Sequence, residues 1–163
     1  MLGQAPDTLS PGAEKVQNSL REAGYNYQVI ELPQTTRSAQ EAVQAVECQV
    51  GQIVKSLIFR TKESNRPILI AASGANRVNE VRISSLLGEP IEKADAEFVK
   101  EKTGFAIGGV PPLGHKVRLE AFVDEDLLKY DVVWAAAGTS YAVFALSPSD
   151  LVKMTGGKVI SIK

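Results

Sequence analysis

The 163-residue chain has one cysteine, one histidine and one tryptophan, and each scarcity removes a class of chemistry. Cys48 alone cannot build a disulfide framework, and one Cys with one His cannot form a self-contained Cys/His zinc site. A Ser–His–Asp or Cys–His triad would have to use His115, and no G-x-S-x-G elbow accompanies it. No apolar run approaches 18 residues, and Met1 to Pro11 has neither a basic n-region nor an apolar h-region. The expectation is therefore a cytoplasmic protein without a membrane span or secretory signal. Charge of one sign is missing too: 18 basic residues face 19 acidic ones, for a net charge of −1. Coating of DNA or RNA by bulk charge is excluded, whereas a local basic patch holding a few phosphates is not.

What remains is an ordinary globular composition, 44% hydrophobic and 23% charged. A chain of this size buries roughly two-thirds of its unfolded surface, enough for a core without staples. Residues 1–163 read as one domain, with about residues 1–10 a mobile lead-in. Ser10, Pro11 and Glu14 are helix-start signals, and Val16, Leu20 and Ala23 follow at helical spacing up to Gly24. Ser38 and Glu41 form a capping box before an Ala39, Ala42, Val43, Val46 stripe. Further helices are expected over Arg77–Leu87, Asp95–Lys102 and Ser149–Met154, with a helical turn at Glu125–Leu128. Strands are expected at Tyr25–Leu32, Gln52–Thr61, Ile68–Ser73, Lys116–Phe122, Val132–Ala137, Tyr141–Leu146 and Val159–Ile162. Ile68–Ser73 is apolar enough for burial on both faces. Seven short strands with helices that do not alternate regularly give an α+β fold with a curved, mixed, barrel-like sheet. The Rossmann and P-loop patterns are missing.

Two local features break the pattern. Lys55 interrupts Ile53, Val54, Leu57, Ile58 and Phe59. Either it snorkels to solvent at the strand edge, or it holds an ammonium in a cleft for a phosphate or carboxylate. Gly108 to Gly114 packs three Gly and two Pro into seven residues. That composition suits a tight connection and equally a stiff loop that binds through its backbone. Bland readings cover the rest: Cys48 as a small buried hydrophobe, Asp124–Asp126 as a solvated acidic turn, Arg60, Lys62 and Arg66 as a solvated hairpin, Trp134 and Phe144 as core.

Taken in order, S-A-Q-E-A (Ser38–Ala42), Q-I-V-K-S-L-I-F (Gln52–Phe59), T-G-F-A-I-G-G-V-P-P-L-G (Thr103–Gly114), A-A-G-T-S (Ala136–Ser140) and S-P-S-D-L (Ser147–Leu151) resemble the YbaK/prolyl-tRNA synthetase-associated editing domain family. The resemblance runs from about Ser10 to Ile162. It implies a cytoplasmic, free-standing trans-editing hydrolase that cleaves the ester of misacylated aminoacyl-tRNA. The substrate would be tRNA(Pro) carrying a small wrong amino acid, with prolyl-tRNA synthetase as a partner and with no cofactor, metal, membrane or DNA. By the same resemblance Lys55 holds the 3′-terminal adenosine and its phosphate, and Ser56 faces the aminoacyl pocket. Gly108, Gly109, Val110, Pro111 and Pro112 form the catalytic G-x-x-x-P loop that positions ester and water, and Gly138 and Thr139 close the pocket. Leu32 and Val143 also fall in the substrate pocket. Val143 replaces an acidic residue, and Leu32 an aromatic, of the cysteinyl-tRNA(Pro) deacylases, which turns the expectation from cysteine toward alanine or another small aliphatic or hydroxylated amino acid. His115 has no counterpart role. The rival readings are a non-catalytic module that binds an aminoacyl-adenosine or tRNA end, and a hydrolase of another small ester.

Overall fold

A computed structural model describes residues 9–163, so most of the expected lead-in lies outside the described residues. Its last part is held: Leu9 packs on the core and the Ser10 N–H donates to Glu31 Oε1 at 2.7 Å. The elements in chain order are α1 (Pro11–Glu22), β1 (Ile30–Glu31), α2 (Ala39–Val46), β2 (Val54–Thr61), β3 (Pro67–Ser73), α3 (Glu80–Leu87), β4 (Ile91–Lys93), α4 (Ala96–Thr103), β5 (Glu120–Asp124), β6 (Val133–Ala136), β7 (Ala142–Leu146), α5 (Pro148–Thr155) and β8 (Lys158–Ile160). Two 3₁₀ turns, Val50–Gln52 and Glu125–Lys129, join them.

The α+β class holds, but the barrel-like sheet does not. The described strands form two open sheets, one of three strands in the order β1-β7-β6 and one of five in the order β4-β2-β3-β5-β8. They touch through the single bridge Ile53–Trp134. The large sheet is mixed: β2 pairs antiparallel with β3 and β4, while β3–β5 and β5–β8 are parallel. β3 is its centre, and its period-two pattern feeds two cores. Leu69 and Ala71 face a cluster with Val16, Leu20, Phe105, Val110 and Phe144, whereas Ile68, Ile70 and Ala72 face Phe59, Ile83, Ile91 and Ile162.

The described residues hold eight strands rather than seven, because three-residue β4 carries no alternation that a pattern search can register. The expected strand Tyr25–Leu32 shrinks to Ile30–Glu31. Upstream of it the Gln17 side chain takes the place of a sheet neighbour, accepting from the Val29 N–H and donating to the Tyr27 carbonyl. β5 starts at Glu120 rather than Lys116, since the amides of Lys116 and Val117 bond the Thr103 and Lys102 carbonyls at the end of α4. β2 starts at Val54 behind the 3₁₀ turn, and α3 starts at Glu80 behind its cap Asn79. The Ser38–Glu41 capping box forms as expected, and Ser147 and Asp95 cap α5 and α4. Such caps are each worth about 1 kcal/mol.

Candidate active site

Two adjoining cavities, about 390 and 530 Å³, open beside β2 and the loop after α4, the first against the small sheet and the second toward α3 and β4. Both lie within the range of small-ligand sites. Lys55, Ser56, Leu57, Ile107 and Val110 line both. Lys55 is therefore in the cleft, not simply at a wet strand edge. The first cavity has an apolar floor of Ala42, Val46, Ile53 and Val143, with Trp134 at its wall. The second is cationic, since Arg77 and Lys93 join Lys55 there, and Glu80 is the sole carboxylate among its lining residues.

The Lys55 side chain is half-buried, and its ammonium donates to the Asn76 carbonyl at 2.8 Å. Burial pulls its pKa below the usual lysine value, and the positive charges of Arg77 and Lys93 push the same way against Asp124. An ammonium so poised gains from an incoming phosphate, which offsets both the desolvation and the repulsion. Beside it, the Ser56 hydroxyl is buried and has no hydrogen-bond partner, an unmet polar group of the kind that binding sites keep for a ligand or water.

The loop Gly108–Pro112 splits by position. Gly108 and Val110 line the cleft, whereas Gly109, Pro111 and Pro112 stand behind them, buried. The Gly109 N–H bonds the Ala106 carbonyl at 3.0 Å and its carbonyl accepts the Gly138 N–H at 2.8 Å. Among the described residues the amides of Gly108 and Val110 have no intramolecular acceptor. Gly109 and Gly138 act by close approach. A Cβ on Gly109 would lie 2.9 Å from the Thr139 N and Cα, and one on Gly138 would strike the Gly12 carbonyl of α1. Gly138 and Thr139 thus clamp the loop from behind rather than line either cavity. Leu32 packs under the floor against Val143. His115 is on the far side, its Nε2 2.6 Å from the Pro111 carbonyl in a separate groove with Pro112. Burial holds its pKa below the usual histidine value.

Three bland readings need correction. Trp134 is half-buried against the cleft, while Phe144 is fully buried core. Asp124 is fully buried rather than solvated, and accepts from the Ser73 N–H, the Asn76 side chain and the Asp126 N–H. Cys48 is only half-buried. The solvated hairpin holds, with Lys62 and Arg66 exposed; Arg60 is paired with Glu92, and Arg66 with Glu89 and Glu120. Arg37, Asn76 and Arg77 were not anticipated. All three lie in irregular segments outside the described helices and strands, where no periodicity points at them.

A half-buried ammonium opposite a stiff, amide-bearing loop, over an apolar floor, is a site for an anionic substrate with a small apolar appendage. The model of the aminoacyl-tRNA editing domain matches residues 33–154, and the chain belongs to that family. A solved structure described as a candidate trans-editing enzyme for prolyl tRNA synthetase superposes with a TM-score of 0.90 at 48% identity, covering 96% of this chain and 99% of that one. An uncharacterized protein of Bacillus subtilis, YwhH, is 28% identical over 131 residues, 80% of this chain and 83% of its own length. A proline–tRNA ligase of Brachyspira hyodysenteriae is 40% identical over 75 residues, 45% of this chain. This chain spans only 13% of that ligase. No described helix is long and apolar enough to cross a membrane.

Proposed function

We propose that residues 1–163 act as one free-standing editing domain that hydrolyses misacylated tRNA(Pro) carrying a small wrong amino acid, in the cytoplasm and beside prolyl-tRNA synthetase. The observation that carries the reading is that Lys55 and Ser56 share a cleft with Gly108 and Val110. In this reading Lys55 grips a phosphate of the 3′-terminal nucleotide, and the aminoacyl side chain rests on Ala42, Val46, Ile53 and Val143. A water oxygen attacks the ester carbonyl carbon, and the resulting oxyanion accepts from the unpaired amides of Gly108 and Val110. Each such donor is typically worth about 3 kcal/mol in the transition state. The tetrahedral intermediate expels the ribose oxygen, which receives a proton through the vicinal hydroxyl, leaving free amino acid and tRNA. An activated ester held in place needs little further acid–base help. The likeness to a candidate trans-editing enzyme over nearly the whole chain, and to a stretch of a proline–tRNA ligase, supports the Pro-related substrate.

A floor without a charged group selects by volume, as a second sieve does. The test is a deacylation panel of Ala-, Ser-, Cys- and Thr-charged tRNA(Pro). Turnover of at least one small amino acid, with Cys disfavoured, is expected. Tight binding of the charged end without any turnover would instead establish the non-catalytic module.

A further inference from the structure

We propose that Asn76 is a positioning residue for Lys55: its side chain, clamped between Asp124 and Asp126, fixes the backbone carbonyl that holds the lysine ammonium in the cleft. This rests on the editing reading of the Lys55 site. Lys55 lies in β2 opposite Ala72 of β3. Its Nζ reaches past the end of β3 to the Asn76 carbonyl at 2.8 Å. That carbonyl belongs to a turn with no regular partner strand, so something else must fix it. The Asn76 N–H bonds the Ser73 carbonyl at 3.0 Å. The Asn76 amide Nδ2 donates to Asp124 Oδ2 at 2.9 Å and to Asp126 Oδ2 at 2.8 Å.

Both carboxylates are themselves fixed. Asp124 is fully buried at the end of β5 and also takes the Ser73 N–H at 3.0 Å. Asp126 is held by Lys129 and Lys163, each at 3.0 Å. The Ser73 hydroxyl closes the turn onto the Gly51 carbonyl at 2.8 Å. A lysine has a long flexible stem and three donors around a point charge, so by itself it specifies direction poorly. Here one donor is anchored to a rigid carbonyl, which leaves the other two for a ligand in a defined direction. The arrangement also sets the Asp124 carboxylate behind an ammonium that faces Arg77 and Lys93, and its attraction opposes the lowering of the Lys55 pKa by burial and by those two cations.

The experiment compares wild type, Asn76→Ala and Asp126→Asn, with ¹⁵N-lysine labelling to observe the Lys55 ammonium (assigned through Lys55→Arg) and steady-state deacylation for kcat and KM. In Asn76→Ala the Lys55 signal should broaden away or move to the position of solvent-exposed lysines. kcat should fall at least tenfold, with KM changed less than threefold, because the charge still attracts phosphate but no longer sets the ester's register. Asp126→Asn removes one of the two carboxylate charges and should give a smaller change in the same direction, a two- to fivefold loss in kcat. A folded Asn76→Ala protein with an unmoved Lys55 signal, or with wild-type kcat, overturns the proposal. Should Asn76→Ala fail to fold, an unshifted Lys55 signal in Asp126→Asn does so. If wild type deacylates nothing, the editing reading fails, while the ammonium signal still decides whether Asn76 positions Lys55.

Discussion

Replacing Gly109 by alanine tests whether the cleft is assembled by backbone-to-backbone packing. The new methyl would sit 2.9 Å from the Thr139 N and Cα and 3.0 Å from the Gly138 carbonyl carbon. All three are main-chain atoms, so no side chain can swing aside; the two segments must separate by roughly half an ångström or more. Overpacking of this kind costs about 1–3 kcal/mol. Separation also stretches the Gly138 N–H to Gly109 carbonyl bond, now 2.8 Å, and a buried pair left unmade costs about 1–3 kcal/mol more. A loss of about 3 kcal/mol lowers the melting temperature of a domain this size by about 6–12 °C. Displacement of the neighbouring Gly108 and Val110 amides should cut deacylation by about 10²-fold, the usual penalty for a misplacement on the ångström scale. Gly24→Ala is the control. Gly24 has φ of +86° but nothing within 4 Å of an added Cβ, so only the left-handed strain of about 1–2 kcal/mol applies. Calorimetry of both variants at one pH decides the matter. If Gly109→Ala melts no lower than Gly24→Ala and retains full activity, the loop is not held as described.

Lys55→Ala should abolish measurable deacylation while leaving the circular dichroism spectrum unchanged, since the side chain bonds a carbonyl at the turn and the strand pairing of Lys55 is by its backbone; near-normal turnover would remove it from the site. Val143→Ala deletes two methylene-sized groups from a site only 4% exposed and should cost about 2 kcal/mol. It should also raise the deacylation of Thr-tRNA(Pro) relative to Ala-tRNA(Pro), and an unchanged ratio would place the amino-acid side chain elsewhere. His115 is pushed below its ordinary value of 6.5 by burial, so the unfolded chain binds its proton first. Its contribution to stability is present above pH 6.5 and is lost as pH falls from there through the folded value. Urea midpoints measured from pH 8 to pH 5 should decline more steeply in wild type than in His115→Gln, and parallel curves would refute the assignment.

The residues themselves set the local structure. Ser38 with Glu41, Asn79, Asp95 and Ser147 fix helix starts because a cap is a contact within three residues, and β3 is legible because burial on both faces needs an unbroken apolar run. Lys55 and the Gly108–Gly114 loop announced themselves as composition out of place, and their meeting in one cleft was readable only through resemblance to the editing family. What sequence could not supply was anything resting on long-range geometry. β4 pairs by three residues whose partners lie some thirty positions upstream. Gln17 replaces a sheet partner for Val29. Asp124 is buried by Ser73 and Asn76, about fifty residues before it, although Asp124–Asp126 alone is indistinguishable from a solvated turn. The chain thus determined the helices, the longer strands and the stiff loop, because those choices follow from caps, periodicity and backbone freedom close at hand. Tertiary structure alone decided whether the sheets close, which glycines touch, and which carbonyl holds the lysine, because each depends on two segments meeting whose separation along the chain leaves no local trace.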